Sequence, residues 1–186
     1  MSGMIRSSGE DNRQNDDSAI ISLVLREAYI RQCYEDGTLD EDEDFTEVGG
    51  FTVVDPYTVP VGIVPSIKLD DYDIGNLVDL LLALNKESVR LSINSSPRDG
   101  YIIDYDGTYA KYFEEVGGGW REWHKDHPEA HGYTQISLPA YDKESGLVLV
   151  YQDIQSDYLV GVGSIDVYRY KDGKFENICS ETRWVS

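Results

Sequence analysis

Three histidines, the complete set in this chain, stand within one short segment: His124, His127 and His131. Imidazole nitrogens are common ligands of Zn²⁺, and the carboxylates of Asp126 and Glu129 lie among them in the sequence. The segment therefore has enough nitrogen and oxygen donors for a metal centre. Such a centre would support a small hydrolase or another metal-binding enzyme.

The same segment also has a structural interpretation. Trp120 and Trp123 share one helical face with the first two histidines, because the four residues follow each other at helical spacing. The tryptophans would then be core residues, and the histidines would form the polar border of that face. Pro128 ends such a helix before His131, so a third ligand would have to fold back. This interpretation is the stronger one, and we expect neither a metal nor another cofactor.

The most charged segment runs from Glu35 to Glu47 and contains eight acidic residues and no basic one. Repulsion between its carboxylates should keep it extended and solvated. Two interpretations remain open. The segment is either a solvated loop that aids solubility, or a docking surface that attracts a basic partner and raises the association rate. In the second case the partner-binding residues are five consecutive acids: Asp40, Glu41, Asp42, Glu43 and Asp44.

Other motifs that could carry chemistry are incomplete. Gly117-Gly118-Gly119 lacks the Lys-Ser/Thr of a phosphate-binding loop and is better explained as a flexible link. The acidic sets at residues 70–73 and 104–107 lack the spacing of a calcium-binding loop, so helix capping and a turn explain them. The chain also has no Gly-x-Ser-x-Gly nucleophile motif. The sequence thus favours a protein that is not an enzyme.

Composition narrows the class further. The 186 residues include 16 basic and 35 acidic side chains, which gives a net charge of −19 and a pI near 4.3. This charge argues against a nucleic-acid binder that works by neutralising phosphates. The longest apolar stretch, Leu77–Leu84, is far shorter than the roughly 20 residues of a membrane span. Cys33 and Cys179 are expected to be free thiols, so we expect a cytoplasmic protein, or an exported one if the chain is a trimmed precursor.

The elements that position these residues indicate an α+β fold, with N-terminal helices packed on an antiparallel sheet. Residues 1–17 are expected to form a disordered tail, and residues 18–186 a single domain with an acidic loop at about 35–47. Helical spacing of apolar residues predicts a helix from residue 18 to about 34, and a Leu-rich helix that begins at Asp71 or Asp73.

From Gly132 onwards the apolar period changes to two, which predicts a four-stranded antiparallel meander at the C-terminus. The Asp172-Gly173 pair is typical of a tight turn between the last two strands. The predicted strands are Tyr133–Ala140, Leu147–Gln152, Leu159–Tyr170 and Phe175–Val185.

Scattered residues over most of the chain form a recognisable layout. They are Ala19–Tyr29, Phe51–Thr58, Gly119-Trp120, His127–Gly132, Ile136–Tyr141, Leu147–Tyr151, Gly161–Gly163, Tyr168–Lys174 and the terminal Trp184-Val185-Ser186. The chain thereby resembles a loose family of bacterial proteins with an N-terminal helix and a C-terminal antiparallel meander ending in Trp-Val/Ile-Ser. The resemblance implies the fold and a bacterial origin. The family has no established activity, so the resemblance assigns no functional residue.

Taken together, these features predict a non-enzymatic acidic binding protein, of an immunity or regulatory type, whose partner is a basic protein. We expect no direct contact with nucleic acid and no membrane span, and the oligomeric state stays open. One alternative is a small hydrolase or metal-binding enzyme that uses His124, His127 and His131. Another alternative is a small-molecule-binding or structural module.

Overall fold

The computed structural model describes residues 8–35, 39, 49–62, 64–70, 72–114, 118–172 and 174–186. Two short 3-10 helices, Pro97–Asp99 and Ala110–Phe113, lie in the connections. The longer elements are α1 (Ser8–Glu35), β1 (Phe51–Val54), α2 (Gly75–Leu84), β2 (Tyr101–Ile103), α3 (Gly119–Asp126), β3 (Ala130–Ile136), β4 (Ala140–Asp142), β5 (Leu147–Asp157), β6 (Val160–Lys171) and β7 (Lys174–Val185).

The seven strands form one sheet in the order β2-β1-β3-β5-β6-β7, with β4 paired to β5. Neighbouring strands from β3 to β7 are antiparallel, which confirms the predicted meander and the α+β class. In contrast, β1 pairs in parallel with both β2 and β3, so the sheet is mixed rather than antiparallel throughout. Parallel pairing needs a long crossover connection, and the connections after β1 and β2 carry α2 and α3.

Two strands of the meander differ from the predicted ones in their ends. The first strand covers Ala130–Ile136 and stops before Ala140, which instead begins β4. The strand β5 continues to Asp157, although its last residues are mostly polar. They remain extended because β5 pairs on one side with β3 and on the other with β6 up to Asp157. The turn into β7 contains Asp172 at φ 54°, as a tight hairpin turn requires.

Helix α1 begins at Ser8, well before the predicted start at residue 18, so residues 8–17 are helical and not part of a tail. Polar contacts explain the extra turns. Asp16 accepts a hydrogen bond from Lys143 Nζ at 2.7 Å and one from the Tyr141 hydroxyl at 3.2 Å. Arg13 pairs with Asp17 one turn later, at 3.5 Å. The sequence pattern placed the start of the helix later because apolar burial alone does not reveal these polar contacts.

The two faces of the sheet are covered by different helices. On one face α1 packs Ile21, Val24 and Leu25 against a core that includes Val54, Ile136 and Val150. On the other face α2 covers the β5–β6 half of the sheet, and α3 covers the β1–β3 half. Side chains alternate between the faces along each strand, so every strand contributes to both layers.

The buried residue Asn85 fixes α2 in place. Its side-chain amide donates to the carbonyl oxygens of Leu81 and Leu138, both at 2.9 Å, and its side-chain oxygen accepts from Leu138 N–H at 2.7 Å. These three bonds join the end of the helix to the connection between β3 and β4. A buried amide that is fully paired in this way orients a helix more firmly than apolar contact alone.

Two further expectations concern the whole chain. Among the helices in the described ranges, none has both the length and the apolar character needed to cross a membrane. Cys33 is buried on α1 and Cys179 lies on β7, and no disulfide joins them.

Candidate functional site

The structure gives each of the three histidines a separate role. His124 Nε2 lies 2.9 Å from the Ser156 carbonyl oxygen, so it donates to the end of β5. His127 Nε2 lies 3.3 Å from the Tyr112 hydroxyl. The ring of His131 packs against that of Tyr29 on α1, with centroids 5.7 Å apart.

These side chains face different neighbours, and the described ranges contain no group of three or more His, Cys, Asp or Glu side chains arranged to hold a metal ion. The tryptophans of the same segment are core residues: Trp120 and Trp123 are both buried, the second completely. They pack with Phe51, Val53 and Ala130 beneath α3. Helix α3 ends at Asp126, and the turn that follows carries the chain into β3 with His131 on the strand.

The acidic residues Asp40, Glu41, Asp42, Glu43 and Asp44 lie outside the described residues. The docking surface predicted there stays a prediction.

The structure reveals a second acidic feature, a row of polar side chains that crosses four neighbouring strands. Asp55 follows β1 directly and Asp104 follows β2 directly, so both lie where parallel strands end at the same edge. Their backbone pairing places Asp55 level with Gln135 of β3, and Gln135 pairs with Asp153 of β5. We call Asp104, Asp55, Gln135 and Asp153 the carboxylate row. It faces the α3 layer of the molecule.

Next to the row lies a cavity of about 230 Å³, lined by Phe113, Trp120, Tyr133, Gln135, Asp153 and Gln155. We call it the aromatic–carboxylate pocket. Its aromatic wall is tightly packed: the rings of Phe113 and Trp120 are 4.6 Å apart, and those of Phe113 and Tyr133 are 5.9 Å apart. Phe113 remains 42% exposed, so the wall opens to solvent at this residue.

Neutral donors hold the carboxylates of the row. Asp153 accepts a hydrogen bond from the Tyr151 hydroxyl at 2.9 Å, and Asp55 accepts one from Tyr57 N–H at 2.8 Å. Longer contacts of 3.5 Å join Asp55 to the Tyr133 hydroxyl and to the Gln135 amide. Neither Asp55 nor Asp153 forms an ion pair within the described part of the chain.

The pKa values of groups in the pocket reflect the absence, among the residues that the structure describes, of a positive side chain beside these carboxylates. Burial raises the pKa of Asp153, and the nearby charge of Asp55 raises it further. Burial also raises the pKa of the Tyr133 hydroxyl, with Asp55 and Asp104 adding to the effect. Both shifts follow from placing negative charge where water is partly excluded. The pocket therefore favours a positive charge placed within it.

Asp104 has a mainly structural role in the row. It is buried, and its carboxylate accepts the backbone N–H of Ala110 at 2.8 Å and that of Tyr109 at 3.2 Å. These bonds fix the loop that leads into the 3-10 helix Ala110–Phe113. Asp104 thus positions Phe113, an aromatic residue of the pocket wall.

A chain of hydrogen bonds supports the pocket from the C-terminal strand. The indole Nε1 of Trp184 donates to the Tyr151 hydroxyl at 2.9 Å, and that hydroxyl donates to Asp153. Burial raises the pKa of Tyr151 to about 12, which keeps the hydroxyl protonated and able to donate. The indole packs against Gly163, where an added Cβ would lie 2.1 Å from Trp184 Nε1. Glycine is therefore required at this position for Trp184 to reach the Tyr151 hydroxyl.

The carboxylate row was not predicted from the sequence, although the sequence contains a pattern that indicates it. The segments Phe51-Thr-Val-Val-Asp55 and Tyr101-Ile-Ile-Asp104 are two short apolar strands that each end in an aspartate. Polar residues at the ends of neighbouring parallel strands often form binding sites. Comparison of the chain with protein-family models, with curated proteins and with solved structures finds no match.

Proposed function

We propose that this protein is a non-enzymatic binding protein for a basic partner, of an immunity or regulatory type, and that its aromatic–carboxylate pocket receives a lysine or arginine side chain of that partner. One observation carries the proposal: two carboxylates beside aromatic rings have only neutral donors as partners in the described residues. A bound cation would supply the missing positive charge.

The chemistry of the wall suits a cation. The faces of aromatic rings carry negative electrostatic potential, so an ammonium or guanidinium group is attracted to Phe113, Trp120 and Tyr133 as well as to Asp153. A cation near Asp153 would stabilise its carboxylate and so oppose the rise in pKa that burial, and to a smaller extent the charge of Asp55, produces. Both effects grow where water is partly excluded, because the local dielectric constant falls.

The size of the pocket favours one side chain over a larger ligand. A volume of about 230 Å³ lies below the range of roughly 300–1,000 Å³ that is typical of sites for drug-sized ligands. Interfaces between proteins commonly place one long side chain from a partner into a pocket of this kind, and arginine is enriched at such positions.

The charge of the whole chain supports the same partner. A net charge of −19 attracts a basic protein over long distances and raises its association rate. In this proposal the acidic segment Asp40–Asp44 increases the rate of encounter, while the pocket holds one side chain once the partner has arrived. The two contributions differ in their salt dependence, because screening weakens distant exposed charges more than partly buried ones.

A titration tests the pocket directly. The probes are N-acetyl-arginine amide and N-acetyl-lysine amide, with neutral N-acetyl-norleucine amide as the comparison, and binding is followed by NMR at the Trp120 indole and at Phe113. We expect saturable shifts with the cationic probes alone. In Asp153→Asn the affinity for these probes should fall by at least about tenfold. Asp157→Asn is the matched control, because it removes the same charge from an exposed position on the same strand.

Capture from the lysate of the host connects the pocket with a partner. Tagged wild-type protein, Asp153→Asn and Asp157→Asn are compared at low and high salt, with mass spectrometry as the readout. A basic protein that wild type and Asp157→Asn retain, and that Asp153→Asn loses, supports the proposal. Equal retention by all three proteins, or equal binding of the norleucine probe, would contradict it.

A further inference from the structure

A second cavity lies on the opposite face of the sheet, under the C-terminal half of α1. Its volume is about 240 Å³. Arg31 and Gln32 of α1 form its roof, together with Leu25, Ala28 and Tyr29. We call it the α1 cavity.

The floor of the α1 cavity is polar, although the core beside it is apolar. Thr52 of β1, Thr134 of β3, Gln152 of β5 and Ser164 of β6 all line it. These strands are consecutive neighbours in the sheet, so the four side chains form a band across it. Further along the same face, Val54, Ile136 and Val150 belong to the apolar core that packs against the middle of α1.

Several buried groups of this floor have unused hydrogen-bonding capacity. Thr52, Thr134 and Gln152 are each 6% exposed. Within the described residues, neither threonine hydroxyl forms a hydrogen bond to another protein group. The amide nitrogen of Gln152 donates to Asp166 at 2.7 Å and to the Tyr168 hydroxyl at 3.1 Å, which leaves its oxygen available. None of these three groups is among the fully buried unpaired side-chain atoms of the described residues, so they are open to the cavity and can bond there to water or to a ligand.

Asp166, below the floor, does not need that occupant. Its carboxylate is completely buried and accepts hydrogen bonds from Gln152, Ser164, Asn177 and Ser180. Four donors satisfy one carboxylate, and they also fix the orientation of the Gln152 amide. The negative charge of Asp166 is therefore balanced within the protein, and the floor presents hydroxyl and amide groups to the cavity.

The roof of the α1 cavity carries a positive charge. Arg31 is half-buried and forms no ion pair with any carboxylate in the described ranges. Its charge acts on Tyr168, at the base of the cavity, and on Glu27, one turn earlier on the helix. A guanidinium group pairs well with a carboxylate, because both are planar and bond through two parallel hydrogen bonds.

We propose that the α1 cavity binds a small hydroxycarboxylic acid, whose carboxylate pairs with Arg31 and whose hydroxyl groups bond to Thr52, Thr134 and the Gln152 oxygen. The volume equals that of about eight water molecules, which suits a short acid of this class. Water would satisfy the threonines, whereas a carboxylate would also pair with the guanidinium of Arg31, whose charge otherwise acts on Glu27. Val162, at the margin of the cavity, is 38% exposed and marks an opening to solvent. The α1 cavity and the proposed cation pocket lie on opposite faces of the sheet and share the β5 residue Asp153 in their linings, but this proposal does not rest on the cation pocket.

Thermal-shift and NMR titrations with glycolate, lactate, malate and gluconate test this site, and the neutral amide of each acid serves as its comparison. We expect at least one acid to raise the melting temperature and to shift the resonances of Thr52 and Thr134 saturably. Arg31→Met, which keeps the helical stem but removes the charge, should weaken binding at least about tenfold. Thr134→Val, of nearly the same shape, should weaken it by a smaller factor. Arg26→Met, at an exposed position of the same helix, should leave binding unchanged.

Three results would overturn the proposal. In the first, none of the acids shifts these resonances, which means that the cavity holds only water. In the second, the neutral amides bind as well as the acids, so the charge of Arg31 does not select the ligand. In the third, Arg31→Met and Arg26→Met have equal effects. The circular dichroism of each variant shows whether α1 remains folded, and Thr134→Val provides a test that leaves the helix sequence intact.

Discussion

Burial gives Asp153 two opposing effects on the protein. A partly buried carboxylate attracts a positive side chain strongly. The same carboxylate lowers the stability of the protein when no positive group pairs with it. Residues of binding sites commonly reduce stability in this way, and their replacement often makes a protein more stable and less active. Asp153 should follow this pattern, because its pKa is raised above the ordinary aspartate value of 3.8.

The pH dependence of stability tests this effect. A raised pKa means that folded protein holds the proton more tightly than unfolded protein does. The contribution of Asp153 to the free energy of unfolding therefore falls as pH rises from 3.8 through the higher folded value. Asp153→Asn lacks this loss, so we expect its stability relative to wild type to increase between acidic and neutral pH.

Urea denaturation at several pH values measures the difference, with Asp157→Asn as the control for general charge reduction. The Asp157 variant should change less with pH, because its side chain is exposed. A constant difference between Asp153→Asn and wild type across this range would show that the carboxyl is not destabilised by burial.

At the scale of elements, the β6–β7 pair shows how glycine makes room for an aromatic support. Trp184 lies over Gly163 and also contacts Gly161, and the register of the two strands pairs Gly163 with Trp184 directly. The indole then reaches Tyr151 on the next strand. Two adjacent strands thus provide an orienting contact for Asp153 that neither could provide alone.

Gly163→Ala should disrupt this arrangement. The added Cβ would lie far closer to the indole than atoms pack, so Trp184 must move and its bond to Tyr151 is lost. We expect a loss of about 1–3 kcal/mol in the free energy of unfolding and a change in tryptophan fluorescence. The matched control is Gly62→Ala, which has no atom within 4 Å of the added Cβ, and it should change stability by less than about 0.5 kcal/mol. Equal effects of the two changes would contradict this account of Gly163.

The meander could be predicted because its information is local. Apolar residues alternate along each strand, and Asp172-Gly173 specifies the last turn within the sequence itself. The parallel pairs of β1 could not be predicted in this way, because β1 is short and its partners lie far along the chain. Asn85 was missed for a similar reason: its importance comes from Leu138, whose position becomes known only after folding.

The candidate site depends on the same non-local information. The sequence identified His124, His127 and His131 as neighbours along the chain, but each of them contacts a different part of the molecule. Asp55, Asp104 and Asp153 are far apart in the sequence, and the strand register brings them into one row. Residue types and spacing therefore predicted the tryptophan core of α3, which depends on one helix, and could not predict a row that depends on four strands.

At the scale of the whole molecule, the net charge of −19 is distributed rather than confined to one segment. The eight acids of the segment Glu35–Glu47 leave −11 on the remainder of the chain when they are subtracted. A basic partner of the proposed kind would therefore be attracted from many directions, and the acidic segment would increase a field that the rest of the chain already produces. Its contribution should appear mainly in the rate of association.

Replacement of Asp40–Asp44 by asparagine and glutamine measures that contribution. We expect association with a captured basic partner to slow by about tenfold at low salt and to change little at high salt. Screening explains the difference, because the Debye length falls from about 10 Å at 0.1 M to about 3 Å at 1 M salt. Stopped-flow association rates at both salt concentrations provide the measurement. An unchanged rate at low salt would mean that the segment serves solubility alone.

The position of α1 has a consequence for the order in which the molecule is made. The apolar stripe of α1, with Ile21, Val24 and Leu25, packs in part against residues of the meander such as Val148, Val150 and Tyr168. A ribosome completes the helix long before it supplies those strands, and β1 likewise waits for β2 and β3. We therefore expect the N-terminal half of the chain to complete its native contacts only after β5 and β6 have been synthesised.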